Sequence, residues 1–448
     1  MSAHSTAAGK SRKPNLDPPR SVRRIARKLE KAGFETWCVG GAVRDALLGH
    51  PHLDWDLATA ARPADVRRLF ARTVPVGIEF GTVGVLDEDG IMHEVTTFRR
   101  DVNTDGRHAV VEFGATLDED LARRDYTINA IAYSPERDEV RDPFEGKTDL
   151  ERGIVRAVGD PRERMREDRL RALRAIRFAS RFGFSIDGET WRAIVDSAPH
   201  LTRLSAERVK QEIEKTMDQV GNPGVAFGMW QESGAIHALV PALAEITALQ
   251  LAAIDHLAQP GLARRPQRRL MRIIALFSAA SASELDPTLK GLRFSNSDVS
   301  WIGSIVRGWQ SWRTDMTAAV SASTPPADSV LRKWAAGIGR TRLASVLRLA
   351  EAHWAAARDA GADAPSPQSV ASVYRRALRI AYRDPIDVSD LAVGGRDMEA
   401  LGIRGPQVGL MLRRLLEAVI SEPSMNTPER LIKLARELHE ADVGSTKG

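Results

Sequence analysis

The spacing of apolar and polar residues changes character along the chain. Between residues 34 and 140, short β-rich runs alternate with helical ones; from about residue 160 onward the apolar positions recur with helical period to the end. Residues 21–33 read as an amphipathic helix and 35–39 as a short apolar strand. Gly40-Gly41 is a turn, and 43–48 are the first turns of a helix. Asp54-Trp55-Asp56 then opens another strand. Segments 81–86 and 93–98 read as neighbouring strands, and 101–108 (DVNTDGRH) as a polar, mobile loop. Two stretches, 321–329 (SASTPPADS) and 359–369 (DAGADAPSPQS), look like linkers or exposed loops, and no internal repeat is visible. The fold class expected is α+β: a head of mixed sheet and helices, then an all-helical remainder.

Composition narrows the class. A chain of 448 residues is too long for one simple core, so several domains are expected. No run approaches the roughly 18 apolar residues that span a membrane. The only cysteine is Cys38, which excludes an internal disulfide framework or a cysteine zinc site and suits a reducing cytoplasm. Residues 1–20 lack an apolar core for a secretory signal and read as a disordered basic tail. The net charge of +5 permits a polyanionic partner without requiring one. Its placement is more telling: Arg162, Arg164, Arg166, Arg169, Arg171, Arg174, Arg177 and Arg181 crowd one stretch without a lysine. Such a run is ordinarily a solvated helix face, but its density favours guanidinium recognition of phosphates and bases.

The candidate chemistry begins at Gly40-Gly41-Ala42-Val43-Arg44-Asp45 and Asp54-Trp55-Asp56. In a strand, residues two apart share a face, so Asp54 and Asp56 can converge, and paired carboxylates suit Mg²⁺. Arg44 and the backbone N–H groups around the glycines could hold phosphates that the metal also touches. If the strand carrying Glu94 lies beside that of Asp56, Glu94 becomes a third carboxylate, completing the metal site or taking a proton from an attacking hydroxyl. Arg123-Arg124-Asp125-Tyr126-Thr127-Ile128-Asn129, ahead of an apolar helix, could clamp a triphosphate and bond a ribose; Asp125 reads equally as a helix cap. Asp168 and Arg171 are three apart and so neighbours on a helix, by default a salt bridge. Together they also present an acceptor beside a donor, which complements the amino-bearing edges of cytosine and adenine and opposes those of guanine and uracil.

In combination these motifs resemble the class II CCA-adding tRNA nucleotidyltransferases of the polymerase-beta-like superfamily. The order GGAVRD with D-x-D, HEVTTFR, RRDYTINA, DPFEGKTDL, EDRLR and SAERVKQE matches, and the resemblance covers most of residues 21–440. It implies metal binding by Asp54 and Asp56 with Glu94 as third carboxylate. It implies nucleotide binding by Gly41, Arg44, Arg124, Asp168, Arg171, Arg174 and Arg177, and ribose recognition by Asp125 and Asn129. It also implies a hinge at 142–146, a neck-steadying helix at 207–212, and a loop near 105–108 tied to the switch from C to A addition. The family's seahorse shape implies a head at 21–155, a base-recognising neck at 156–220, a helical body at 221–330 and a tRNA-binding tail at 331–448. The implied partners are tRNA, CTP and ATP, with Mg²⁺ as cofactor and neither membrane nor obligate protein partner. The appended phosphohydrolase domain of some relatives is not expected, since Asp255-His256 has the wrong order. Three rivals stay open: an A-adding enzyme, a poly(A) polymerase, and a non-catalytic RNA-binding protein.

Overall fold

The computed structural model describes residues 16–50, 54–104, 109–257 and 265–445. The chain divides into two compact units, 1–220 with 229–241, and 221–228 with 242–448.

The first unit opens with α1 (Arg20–Lys31), whose Val22, Ile25, Ala26 and Leu29 recur at helical spacing and are all buried, packed on the sheet. Then follow β1 (Thr36–Val39), α2 (Gly41–Leu47), β2 (Asp56–Thr59), α3 (Pro63–Leu69), β3 (Thr73–Gly77), β4 (Thr82–Leu86) and β5 (Met92–Thr97). After them come β6 (Arg99–Thr104), β7 (Ala109–Phe113), α4 (Leu117–Ala122), β8 (Ala132–Ser134), β9 (Glu139–Arg141) and α5 (Gly146–Arg152). Seven strands form one mixed sheet in the order β3-β4-β5-β2-β1-β8-β9. Only β2 and β5 run parallel; the other neighbours are antiparallel. Trp37, Val39, Ala58, Phe98, Leu117, Leu121, Ala130 and Ala132 make a core on one face of the sheet, beneath α4.

Three local expectations change. The apolar run after Asn129 is not a helix: a single 3₁₀ turn, Thr127–Asn129, leads into β8, which pairs with β1. A short apolar run fits a buried strand as well as a helix, and pairing decided it. The polar stretch from Asp101 to Thr104 is strand, because β7 supplies a ladder partner that polarity alone does not advertise. Residues 105–108, where the switching loop was expected, lie outside the described residues.

The third change matters most. The arginine-rich segment is two helices, α6 (Pro161–Glu167) and α7 (Leu170–Phe182). Asp168 between them is extended, and its carboxylate accepts the N–H of Leu170 at 3.0 Å, starting the second helix. A small parallel pair, β10 (Ile154–Val155) and β11 (Ser185–Ile186), brackets the segment. The helices α8 (Gly188–Ser197) and α9 (Ala206–Gln219) follow it.

The second unit is helical throughout its described residues. The 322–327 and 360–366 segments fall between helices, as the linker composition suggests. Its helices start on serine caps such as Ser281, Ser295 and Ser366, each accepting a backbone N–H of the first turn. No helix among the described residues is long and apolar enough to cross a membrane.

Candidate active site

Strand register builds the acidic corner. Leu57 pairs with Val95, Ala58 with Thr96 and Thr59 with Thr97, so Asp56 stands level with Glu94 one step earlier on the same face. On its other side Asp56 pairs with Val39, the last residue of β1 before the glycine turn. Asp54 is exposed immediately ahead of β2, and Trp55 between the two aspartates is buried. Burial, with Asp54 and Glu94 nearby, pushes the Asp56 carboxyl up to about 7, while Arg124 pulls it down. Three like charges feel one another here.

Hard carboxylate oxygens around a half-buried aspartate that resists ionisation are the donor set a divalent cation would relieve. The residues therefore fit Mg²⁺. Among the described residues no three acidic, His or Cys side chains already form a cage.

Arg124 reaches this corner from the end of α4. Gly40, at φ 75°, turns the chain beneath it, and a Cβ there would sit 3.1 Å from Arg124 Nη1, so backbone and guanidinium approach closely only because the residue is glycine. Arg124 is anchored by Asp120 at 3.1 Å, and its Nε is buried with no hydrogen-bond partner. Arg123 shares Asp120 at 2.7 Å and ties the helix to the Arg99 carbonyl. Gly41 follows as the first residue of α2, half-buried.

Arg44, expected at the phosphates, is turned inward: it is 3% exposed, holds Asp45 at 2.6 Å and donates to Asn129 Oδ1 at 2.5 Å. Burial lowers its basicity and Asp45 opposes the shift. Asn129 in turn donates to Asp125 at 2.9 Å, and Asp125 Oδ2 accepts Arg174 at 2.8 Å. Asp125 also accepts the N–H of Tyr126, but it caps no helix: the 3₁₀ turn Thr127–Asn129 starts on Tyr126 without a side-chain cap. Burial alone would raise its pKa, but Arg174 and the Asn129 amide outweigh it and hold the carboxyl down to about 2.

Arg177 is likewise turned inward, paired with Glu212 of α9 at 2.5 Å and with Gln219 at 2.9 Å. Glu212 is 1% exposed, so this buried pair ties α7 to α9.

Asp168 and Arg171 are not paired with each other. The helix break sends Asp168 to Arg208 of α9 at 2.7 Å, and Arg171 to Glu167 at 2.8 Å and to the Arg123 carbonyl at 3.0 Å. They are held separately, from different elements. Asp45 and Asp120 are partners of these arginines that sequence reasoning missed. For Asp120 a signal existed, an acid four residues ahead of an arginine at a helix end.

A mixed sheet that sets Asp56 beside Glu94, with Arg124 close by, suits the chemistry of a nucleotidyltransferase. Residues 36–156 match the poly A polymerase head domain, and 183–247 match a probable RNA and SrmB-binding site of polymerase A. The CCA-adding enzyme of Limosilactobacillus fermentum is 34% identical over 423 residues, covering 94% of this chain and 97% of the relative. That of Geobacillus kaustophilus is 34% identical over 413 residues, covering 91% and 94%. The crystal structure of the Bacillus stearothermophilus CCA-adding enzyme in complex with CTP superposes with a TM-score of 0.71 at 32% identity, covering 96% of this chain and all of that one. The chain belongs to the CCA-adding enzyme family.

Proposed function

We propose that this protein adds C, C and A to the 3′ end of tRNA, taking CTP and ATP without a nucleic-acid template and releasing pyrophosphate. The observation that carries the reading is the register placing Asp56 level with Glu94, with Arg124 beside them. Mg²⁺ held by Asp54 and Asp56 would supply Lewis-acid activation of the attacking hydroxyl and the α-phosphate.

The chain's own residues then divide the work. The tRNA 3′-hydroxyl, its proton drawn toward Glu94, attacks the α-phosphate in line. Arg124, with its unused Nε, neutralises the departing pyrophosphate, and the backbone around Gly41 lines the same phosphates. Asp125 and Asn129 address the ribose, with Arg174 fixing Asp125. Arg44 and Arg177 act from behind, the first by setting Asn129 and the second by locking α7 to α9. Asp168 and Arg171 read the base edge. The head, neck, body and tail limits drawn from the sequence belong to this reading, as does a cytoplasmic location, in keeping with a buried, unpaired Cys38.

The relatives are CCA-adding enzymes, which favours this activity over A-only or poly(A) addition. The test is primer extension on a tRNA ending at its discriminator base, with Mg²⁺ and labelled CTP, ATP or both. Three additions in the order C, C, A, followed by arrest, are expected. Single A addition only to a tRNA already ending in CC, long A tails, or no incorporation would each replace the proposal with one of the three rivals.

A further inference from the structure

Four polar side chains from three elements form one chain of hydrogen bonds: Arg44 of α2 to Asn129, Asn129 to Asp125, and Asp125 to Arg174 of α7. Its two ends meet on a single apolar surface. The Arg44 guanidinium lies 5.1 Å from the centre of the Phe178 ring, and that of Arg174 lies 5.2 Å from it. Arg177 lies 4.5 Å from the same ring. Phe178 is 4% exposed and is itself fixed by the edge-on ring of Tyr126 at 6.0 Å.

A guanidinium is a flat group whose plane is only partly fixed when two of its nitrogens share one carboxylate oxygen, as Nε and Nη2 of Arg44 and Arg174 do. A ring face fixes it further, because the cation is drawn to the negative face while its N–H edges stay free for partners. Around Phe178 each arginine keeps an edge-on partner: Asn129 and Asp45 for Arg44, Asp125 for Arg174, Glu212 for Arg177. A second clasp closes behind. Asp45 bridges Arg44 to Arg181 of α7, at 2.6 Å and 3.1 Å, and Phe182 underlies both guanidiniums, at 4.8 Å and 4.7 Å.

We propose that Phe178 is a positioning residue of the nucleotide site: its ring orients Arg44 and Arg174 together and thereby sets Asn129 and Asp125 for the incoming nucleotide. The proposal rests on the assignment of Asp125 and Asn129 to the nucleotide. It gives an apolar residue control over CTP and ATP affinity without contact with either, and none over tRNA affinity.

Phe178→Leu and Phe178→Met keep an apolar side chain and remove the π face; Phe178→Tyr keeps the face. With melting temperature and circular dichroism confirming a fold, the first two are expected to raise KM for CTP and ATP about tenfold, the scale of a single partly desolvated cation–π contact. KM for tRNA should not move, and Phe178→Tyr should restore the nucleotide KM to near the wild-type value. Should Leu fail to fold, Met carries the test. Unchanged nucleotide KM in a folded Leu or Met variant would overturn the proposal, as would an equal rise in KM for tRNA. Asp125→Ala separates the two levels. If it raises the nucleotide KM while Phe178→Leu does not, only the positioning role fails; if it too leaves nucleotide KM unchanged, the site assignment beneath it fails as well.

Discussion

Two aspartates of the first unit are driven in opposite directions. Asp56 sits among like charges, with Asp54 and Glu94, and is pushed up to about 7. Asp125 is still more enclosed, yet Arg174 and Asn129 hold it down to about 2. Burial acts the same way on both, so the difference lies in the neighbours. The acidic corner keeps mutual repulsion that a bound cation would relieve. The arginine lattice around Asp125 is complete in itself, each guanidinium having an acid or amide partner. One region is built to recruit charge, the other to hold geometry.

The sharpest way to break this contrast is to remove a carboxylate from each side. Asp56→Ala should cut nucleotide incorporation by about a thousandfold or more while leaving the melting temperature near wild type, as expected for loss of a principal stabiliser of developing charge. Near-normal turnover in that variant would end the acidic-corner assignment. Glu212→Ala, on the lattice side, should do the reverse and cost about 3 kcal/mol of stability in denaturant titration, because Arg177 would stay buried without its acid. Asp125→Ala should cost less, about 2 kcal/mol, since Arg174 keeps 30% of its side chain exposed and water can compensate in part.

Metal titration sharpens the comparison further. At ten times its Kd, Mg²⁺ should stabilise the wild type by about 1.4 kcal/mol. The increment should vanish in the Asp54→Asn, Asp56→Asn double variant and persist in Asp125→Asn. Acid should separate the two regions as well. With its folded pKa depressed, Asp125 contributes stability that is fully present above about pH 4 and is lost as pH falls toward about 2. The stability gap between wild type and Asp125→Asn should therefore close over that window. The smallest effect is expected from Arg208→Ala: its pair with Asp168 is about a third exposed on each side, so stability should fall by less than about 1 kcal/mol. Discrimination against UTP and GTP should nevertheless loosen measurably in single-nucleotide incorporation, and unchanged selectivity would detach Asp168 from base reading.

Much of the acidic corner was legible in the sequence because its logic is local. The condition placed on Glu94, that its strand lie beside β2, is met by the sheet order, whereas β2 begins only at Asp56, so the strand argument does not reach Asp54. The arginines were legible as residues but not as contacts. Nothing in the linear order says that Arg44 turns inward to Asn129, 85 positions away, or that Arg177 finds Glu212 on another helix. The break at Asp168 was hidden because helical periodicity continues across it, and only its side chain's bond to the Leu170 N–H reveals the restart. The strand after Asn129 was misread because its identity is fixed by β1 rather than by its own residues.

A nucleic-acid template stores its instruction covalently, one letter per nucleotide. If Asp168 and Arg171 read the incoming base, the instruction here is stored as two rotamers, one tethered to Arg208 and the other to Glu167. Such a letter has no chemical permanence; it is a population. Each factor of ten in copying accuracy then corresponds to about 1.4 kcal/mol of preference for one arrangement of two side chains over the alternatives. The error rate of this message is in that sense a conformational equilibrium constant, open to temperature and salt in ways that a paired strand's spelling is not.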